Sequence, residues 1–380
     1  MGSRVLRAPF TTCEHIHFVR PTKGENVIGQ SIQTKRVGLA LSGGTLKAAA
    51  HVGVLDALEA LGIQIDCVAG TSAGSYVATL YAHGVTPQEM VRLVESFPGA
   101  RLLDYGFPLV SSLLTFATYR MWPRRDKTYV LPAGLLQGRR LEQYFRKTLR
   151  KRTTNIPYYV IATDLYSGLP VVYGDLEARG VRAPLSTHRG SNERQVYPVT
   201  DLPRVVRGSC SLPGVFTPVR IGEKLLVDGG LRSYVPVEVL RDAGCTHIIA
   251  VNLYRLQEEW QPETFAHVLT RSFDIILDET IDADVQGSDV FSLSPNVSHI
   301  SWHSFRDLKN CIAAGGQAVA DCKNELKRFL NSASQNTCRA SHTTKRVRQK
   351  MTTELGTTSE PKRTKDTMLS PVLHIRAGKT

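Results

Sequence analysis

Two short apolar runs near the start of the regular sequence each end in a glycine- and serine-rich turn that leads into a helix pattern. The first run is Val37 to Leu41, followed by Ser42-Gly43-Gly44. The second is Ile63 to Ala69, followed by Gly70-Thr71-Ser72-Ala73-Gly74. Continuous apolar runs of this length are typical of strands buried on both faces, as in a parallel sheet covered by helices. The chain is therefore expected to fold as a doubly wound α/β structure.

The alternation of strands and helices continues to about residue 330. It predicts one main three-layer α/β/α domain, in which helices cover both faces of a mixed, mostly parallel central sheet. Further strands are predicted at 157–164, 169–173, 247–252 and 290–293, with a β-hairpin at 219–227. Helices are predicted at 45–61, 72–83, 88–97, 141–149, 202–209, 262–285 and 304–330.

Two basic, weakly patterned segments flank this domain. Residues 1–35 are predicted to be an irregular N-terminal segment, residues 36–330 the folded domain, and residues 331–380 a disordered basic tail. The net charge of +13 lies mostly in these flanks, because residues 331–380 hold ten Lys and Arg against three Asp and Glu. Basic tails can meet anionic lipid head groups or nucleic acid, or they can be solvated without a partner. No nucleic-acid-binding module is recognised, so a nucleic-acid partner is not expected.

The sequence also bears on the compartment and on cofactors. No window approaches 18 uncharged apolar residues, and the first 26 residues lack the apolar core of a secretory signal, so neither a membrane span nor secretion is expected. The seven cysteines are odd in number and include no C-x-x-C pair, which favours a reduced, cytoplasmic setting. No metal site and no organic cofactor are expected.

One segment differs from the rest of the predicted domain. Residues 107–121 are apolar and aromatic and are followed by Trp122-Pro123-Arg124-Arg125. The segment is too short to span a bilayer, but it could lie at an interface as an amphipathic lid over a cleft. The alternative is an ordinary packed helix and loop. Residues 101–125, together with the basic tails, are thus the candidates for peripheral membrane contact.

The second turn contains the pattern Gly70-x-Ser72-x-Gly74. A serine between an apolar strand and a helix sits on a sharp turn that exposes its Oγ atom, and the flanking glycines allow tight packing. The dipole of the following helix favours negative charge that develops at this serine. Ser72 is therefore a candidate nucleophile, although a purely structural turn is the alternative.

The first turn, Ser42-Gly43-Gly44-x-x-Lys47, also joins a strand to a helix. Backbone N–H groups at a glycine-rich helix start form an anion hole, which in acyl transfer would hold a tetrahedral oxyanion. A phosphate cradle is the rival use, but neither usual phosphate-loop pattern occurs in the chain. Lys47 could add positive charge to this hole or simply be solvated.

A third signal is Asp228-Gly229-Gly230, directly after an apolar run. An aspartate at the carboxyl end of a strand can reach the site of a neighbouring strand, and the glycines allow the backbone to approach closely. The alternative is an ordinary turn aspartate of a D-G pair.

In this order, the three motifs resemble those of the patatin-like phospholipase family, especially its bacterial cytoplasmic branch. That family shows a G-G-G-x-[KR]-G oxyanion segment, a G-x-S-x-G nucleophile and a D-G-[GA] base. The resemblance covers roughly residues 36–320. The matching segments are 42–48, 70–74 and 228–230, and 50–55, 209–216 and 235–237 are similar as well.

The resemblance implies a serine lipid acyl hydrolase with a two-residue catalytic dyad. Ser72 would attack an ester carbonyl and form an acyl-enzyme, and Asp228 would accept the serine proton directly. Backbone N–H groups at Gly43, Gly44 and Thr45 would stabilise the oxyanion, with Lys47 as further anion support. The implied substrates are phospholipids, lysophospholipids or other fatty acyl esters. His51 is expected to have a packing role, since such a dyad needs no histidine.

The chain departs from the family pattern at two positions, where Thr45 and Ala48 replace glycines. A β-branched residue is disfavoured at positive φ, so the oxyanion hole would be distorted if the family's third glycine uses that region. A weak or selective enzyme is then expected, and a catalytically inactive regulator or scaffold of the same fold is the alternative. A second rival is an α/β-hydrolase triad, which needs a late histidine, namely His247, His267, His299 or His303.

Overall fold

The computed structural model describes residues 35–104, 134–149, 153–174, 195–255, 285–300 and 305–332, with scattered positions between 261 and 284. The predictions for nearly all of the N-terminal segment, for the apolar segment at 107–121 and for nearly all of the basic tail lie outside the described residues. Among the described helices, none is both long enough and apolar enough to cross a membrane.

The central sheet is mixed and mostly parallel, as expected. Its seven-strand path has the order β11-β10-β1-β2-β4-β5-β6, and the hairpin of β8 and β9 joins it at β4. Neighbouring strands from β11 to β4 in this path are parallel to each other. Strand β5 is antiparallel to β4, and β6 is parallel to β5. The strands are β1 Val37–Leu41, β2 Cys67–Thr71, β3 Gly134–Leu136, β4 Tyr158–Asp164, β5 Pro170–Gly174, β6 Gln195–Pro198, β7 Gly214–Phe216, β8 Val219–Ile221, β9 Lys224–Asp228, β10 His247–Val251 and β11 Val290–Leu293.

Helices cover both faces of this sheet, which confirms the predicted three-layer architecture. Alternate residues of each strand face opposite sides: Leu39 and Val160 enter one hydrophobic cluster, while Ala40 and Ile161 enter the other. The α-helices are α1 Ala49–Ala60, α2 Ala73–Ala82, α3 Pro87–Glu95, α4 Arg139–Thr148, α5 Leu202–Ser209, α6 Val237–Asp242, α7 Leu308–Asp321 and α8 Lys323–Asn331, with short 3-10 turns at Thr45–Ala48, Gly99–Leu102 and Gly229–Leu231.

Two predicted elements differ from the structure. The second strand begins at Cys67 rather than at Ile63, because Asp66 is held as the last residue of the preceding loop. Its carboxylate accepts a hydrogen bond from Val37 N at 2.7 Å, and its N–H donates one to Val37 O at 2.8 Å. The predicted helix at 304–330 is two helices, because the backbone leaves the helical region at Cys322 (φ −110°, ψ 17°).

Four short elements were not predicted, namely β3, β6, β7 and α6. Each has between three and six residues, which is too short for an apolar period to repeat often enough to be recognised. Strands β3 and β7 form a separate two-stranded parallel sheet, and β6 extends the main sheet beyond β5.

Helices α1 and α7 pack against each other at glycine contacts. A Cβ atom added at Gly53 would lie 1.8 Å from Ile312 O, and one at Gly315 would lie 1.9 Å from Ala50 O. Both neighbours are backbone atoms, which cannot move away without displacing a helix. This contact fixes α1, which follows the first glycine-rich turn, against α7.

We predict that Gly315→Ala lowers the free energy of unfolding by about 2 kcal/mol or more, since the methyl group overpacks this helix contact. The neighbouring Gly316→Ala is the matched control, because its added Cβ would lie 3.7 Å from the nearest atom outside its own helix, Gly53 O. That control should be neutral or stabilise by up to about 1 kcal/mol through helix propensity. Urea unfolding of both variants tests the prediction, and equal midpoints for the two would contradict it.

Candidate active site

Two strands that are far apart in the chain meet end to end along one side of β4. Thr71, the last residue of β2, is paired with Ile161, and Asp228, the last residue of β9, is paired with Ala162. Because β9 runs antiparallel to β4, the two strands approach this point from opposite directions. Adjacent strand residues are about 3.3 Å apart along the strand, so this register brings Ser72, which follows Thr71, beside Asp228.

Ser72 occupies a strained turn between β2 and α2. Its φ of 52° and ψ of −130° are rare for a residue with a side chain. The turn is held by Ser209 at the end of α5, whose hydroxyl accepts a hydrogen bond from Ser72 N at 2.8 Å and donates to Ile161 O. The Ser72 carbonyl accepts in turn from the N–H of Ser75, at 2.9 Å, and from its hydroxyl, at 2.6 Å.

The flanking glycines allow the close packing that this turn requires. A Cβ atom at Gly70 would lie 2.4 Å from Gly74 O, and one at Gly74 would lie 2.3 Å from Ser42 O. The first contact closes the turn on itself. The second joins the serine turn to the first glycine-rich turn, so that neither can shift without the other.

Asp228 is a buried carboxylate with few partners. Its side chain accepts a hydrogen bond from Gly230 N at 2.8 Å and interacts with the Ser72 hydroxyl. Burial raises the pKa of Asp228 to about 6, although these two hydrogen bonds act in the opposite direction. The group is thus largely ionised at neutral pH but is far more basic than an exposed aspartate.

The glycine-rich segment after β1 is held in place by Ser42. Its hydroxyl donates to Gly43 O at 2.9 Å and accepts from Leu253 N at 3.1 Å, while its carbonyl accepts from His51 Nε2 at 2.9 Å. His51 therefore has a positioning role in addition to packing, because its hydrogen bond holds the segment that adjoins Ser72. Burial lowers the pKa of His51 to about 4, so the ring is neutral near pH 7.

Gly43 lies directly against the nucleophile candidate. A Cβ atom there would be 3.4 Å from the Ser72 Cβ atom and 2.7 Å from Tyr234 Cε2. Within the described part of the chain, the amide groups of Gly43 and Gly44 donate to no acceptor. Gly44 has φ 150° and Thr45 has φ 49°, so the threonine does adopt the left-handed region that was suspected from the sequence.

Lys47 lies at the end of the 3-10 turn and is half-buried. Its ammonium group acts on the Cys311 thiol of α7, where it lowers the pKa against the larger raising effect of burial. It is not among the groups that shift the pKa of Asp228. Its suggested role in anion support therefore stays a prediction.

Sequence reasoning missed three residues that surround the pair. Ser209 supports the Ser72 backbone as described above. The Cys210 thiol interacts with the hydroxyls of Ser72 and Ser75, and burial and the neighbouring Asp228 charge raise its pKa. The only sequence signal was their position in the 209–216 stretch, which the family resemblance had already singled out.

The third missed residue is Arg207, a buried cation bound chiefly to carbonyl groups. Its guanidinium donates to Gly138 O at 3.1 Å, Gln137 O at 2.8 Å and Thr217 O at 3.0 Å, and lies 5.1 Å from the centre of the Phe216 ring. Burial lowers the pKa of Arg207. The residue thereby ties the end of β3 to the segment after β7, close to the site.

The histidines proposed for a triad are not brought to Ser72 where they are described. His247 is the first residue of β10, at the amino end of the parallel strands, whereas Ser72 lies at their carboxyl end; the His247 Nε2 atom bonds Ser332 O at 3.1 Å. His299 is exposed, and His267 and His303 lie outside the described residues. In the described ranges, no group of three or more His, Cys, Asp or Glu side chains is placed to hold a metal ion.

Comparisons with known proteins indicate the family to which the chain is similar. A family model described as patatin-like phospholipase matches residues 39–241. YqhO, an uncharacterized protein of Bacillus subtilis, is 30% identical over 231 residues, which are 57% of this chain and 71% of that protein. The lysophospholipase NTE1 of Saccharomyces cerevisiae is 26% identical over 226 residues, which are 60% of this chain but 11% of the yeast protein. The crystal structure of VipD from Legionella pneumophila aligns with a TM-score of 0.41 at 14% identity, over 77% of this chain and 67% of that chain.

We predict that Asp228→Asn stabilises the protein at pH 7 by about 1–3 kcal/mol. The folded-state pKa of Asp228 lies above the usual aspartate value of 3.8, so its ionised form opposes folding above pH 6. As the pH falls through 6 towards 4, the wild-type carboxyl becomes protonated and the difference between the two proteins should disappear. Urea unfolding at pH 7 and pH 4 measures this difference.

Asp164→Asn is the matched control, with the opposite sign. Burial raises the pKa of Asp164, but hydrogen bonds from Ser167, Leu225 and Tyr166 and the nearby Lys224 charge outweigh it, so the folded-state pKa is lowered. Its ionised form therefore stabilises the fold, and this variant should be less stable than wild type at pH 7. An Asp228→Asn protein that loses stability at pH 7 would contradict the assigned cost of burying that charge.

Proposed function

The chain belongs to the patatin-like phospholipase family, and from that premise we propose that it hydrolyses lipid acyl esters with Ser72 as nucleophile and Asp228 as general base. The observation that carries this proposal is the register along β4, where β2 and β9 end at adjacent residues. A hydroxyl and a carboxylate from distant parts of the chain are thereby brought side by side at the end of these strands. Groups of these two types held next to each other are what base-assisted nucleophilic attack requires.

In the first half of the reaction, the Ser72 Oγ atom attacks the carbonyl carbon of the ester. Its proton passes to the Asp228 carboxylate, and the carbonyl oxygen becomes a tetrahedral oxyanion. When the intermediate collapses, the bond to the alcohol breaks and the alcohol leaves with the proton from Asp228. The acyl group is then an ester of Ser72. A base with a pKa near 6 can both accept and return this proton at neutral pH.

The oxyanion would be stabilised by the backbone N–H groups of Gly43 and Gly44. Gly43 packs against the Ser72 side chain, and Ser42 and His51 hold the segment in place before substrate arrives. Such prearranged donors cost little reorganisation at the moment of reaction. Thr45 would contribute at most a third donor.

The second half of the reaction repeats the first with water. Asp228 takes a proton from a water molecule, whose oxygen attacks the acyl carbonyl carbon of the Ser72 ester. Collapse of that intermediate releases the fatty acid, and Ser72 regains its proton from Asp228. No step requires a histidine or a metal ion. We take fatty acyl esters of phospholipids or lysophospholipids as the substrate class, which the family and relatives such as the yeast lysophospholipase support.

A non-catalytic regulator or scaffold with the same fold is the alternative proposal. The observation that favours it is Thr45, which replaces a glycine of the family pattern at a backbone angle of φ 49°. Labelling by a fluorophosphonate probe separates the two proposals, because only an activated serine reacts with it. Labelling that is absent from the wild-type protein would support the scaffold.

We predict that Ser72→Ala abolishes both fluorophosphonate labelling and turnover of lysophosphatidylcholine. Ser96→Ala, on the exposed end of α3, is the matched control and should leave both unchanged. In the wild-type protein, kcat should fall as the pH drops below about 6, because Asp228 must be ionised to accept the proton. Full turnover by Ser72→Ala, or a rate that does not change between pH 5 and pH 8, would rule out the proposed pair.

We predict that Thr45→Gly relieves backbone strain at the oxyanion segment. A non-glycine residue in the left-handed region costs on the order of 1 kcal/mol, so the variant should be more stable by about 0.5–1 kcal/mol. If the strain also displaces the amide donors, kcat should rise about tenfold or more, because loss of one such donor costs about 100-fold or more. Thr45→Ala keeps the strain and should show neither gain. Equal stability of the glycine and alanine variants would show that the angle is not strained.

A further inference from the structure

The turn between β4 and β5 lies at the same end of the parallel strands as Ser72, namely their carboxyl end. Strand β4 continues for three residues past Ile161, the partner of the last residue of β2, and the turn at 165–168 follows. At this tip, which we call the β4–β5 tip, Leu165 is 52% exposed and Tyr166 is 61% exposed. Two neighbouring large apolar side chains are therefore held in solvent beyond the candidate active site.

The β4–β5 tip is rigid rather than loose. The buried Asp164 carboxylate accepts hydrogen bonds from Ser167 Oγ at 2.8 Å, Leu225 N at 3.1 Å and Tyr166 N at 3.3 Å. The N–H of Leu165 also donates to Leu225 O at 2.7 Å. A turn that is fixed by so many bonds keeps its apolar side chains exposed although they could otherwise fold back onto the surface.

Cationic side chains adjoin the β4–β5 tip. The Arg220 guanidinium lies 5.6 Å from the centre of the Tyr166 ring and donates to the Tyr166 hydroxyl. Arg204 is exposed and donates to Arg220 O at 3.2 Å. Lys224 is paired with Asp164 at 3.5 Å, and Glu223, in the adjacent β8–β9 turn, is the exposed acidic residue nearest to them in the chain.

We propose that the β4–β5 tip is an interfacial docking element, which inserts Leu165 and Tyr166 into the surface of a lipid bilayer or micelle while Arg220 contacts the head groups. A tyrosine beside an arginine suits this boundary, because its ring is apolar and its hydroxyl polar. The inference rests on the proposed function, since the tip lies at the end of the strands where a lipid ester would have to reach Ser72. Insertion of the tip would orient this end of the strands towards the membrane.

The test measures binding of the full chain to phosphatidylcholine vesicles by co-sedimentation at about 0.5 M salt, where charge interactions of the basic tails are largely screened. The double variant Leu165→Ser/Tyr166→Ser should partition at least about tenfold less than wild type, because two large apolar side chains are lost from the interface. Its turnover of soluble p-nitrophenyl butyrate should equal that of wild type, which shows that the site is intact. Wild-type binding that is no stronger than that of the double variant overturns the proposal.

Two further variants separate this proposal from the proposed chemistry and test the role of charge. Ser72→Ala should bind vesicles as wild type does, so vesicle binding can be read even if no ester is turned over. On vesicles that contain phosphatidylglycerol, at low salt, Arg220→Gln should bind about fivefold less. Arg328→Gln is its matched control, because Arg328 is exposed on α8 and lies far from the tip. Its neighbour Phe329 packs on His247, at the amino end of the parallel strands. Equal losses for the two arginine variants would overturn the role assigned to Arg220.

Discussion

The site depends on one pairing constraint, which is that β2 and β9 share the same side of β4. Each of the two strands has five residues, and both are aligned by backbone hydrogen bonds to the same buried strand, β4. A shift of β9 by one residue would turn the Asp228 side chain to the other face of the sheet. The contact between Ser72 and Asp228 is therefore set by sheet register, and Ser209 reinforces it by bonding both Ser72 N and Ile161 O.

The same constraint explains how an energetically unfavourable cluster can persist. Ser72 and Thr45 both have positive φ angles, and Asp228 keeps its charge in a buried position with few donors. Each of these features opposes folding by on the order of 1–3 kcal/mol. Ser72 and Asp228 lie at the ends of buried strands, where local relaxation would break several strand hydrogen bonds together, whereas Thr45 is exposed and begins the 3-10 turn after β1. Strain of this kind clusters at functional sites and persists only where the surrounding structure holds it in place.

Much of the fold could be predicted because its signals are local, and the candidate pair could be proposed because its short motifs together resemble those of a known family. The strands β1, β4 and β10 are continuous apolar runs, and Ser72 and Asp228 stand in short motifs next to glycines. The support residues could not be predicted in the same way. Arg207, Ser209 and His51 act through bonds to the backbone of residues that are between 9 and 137 positions away, and no pattern in the sequence predicts such partners. The short strands β3 and β7 could not be predicted for a related reason, because each pairs with a strand about 80 positions away in the chain.

The position of the site at the end of β2 also determines how substrate can reach it. Strand β4 and the β8–β9 hairpin both continue past Ser72, so the pair lies below a raised rim instead of at the outermost surface. Asp164 holds the two parts of that rim together by accepting from the backbone of each, at Tyr166 and at Leu225. In the proposed reaction, an ester group would enter beside the rim to reach Ser72, and the parts of the substrate outside the site would contact the rim itself. The residues that select the substrate would then differ from those that react with it and would lie along β4, β8 and β9 beyond Ser72 and Asp228.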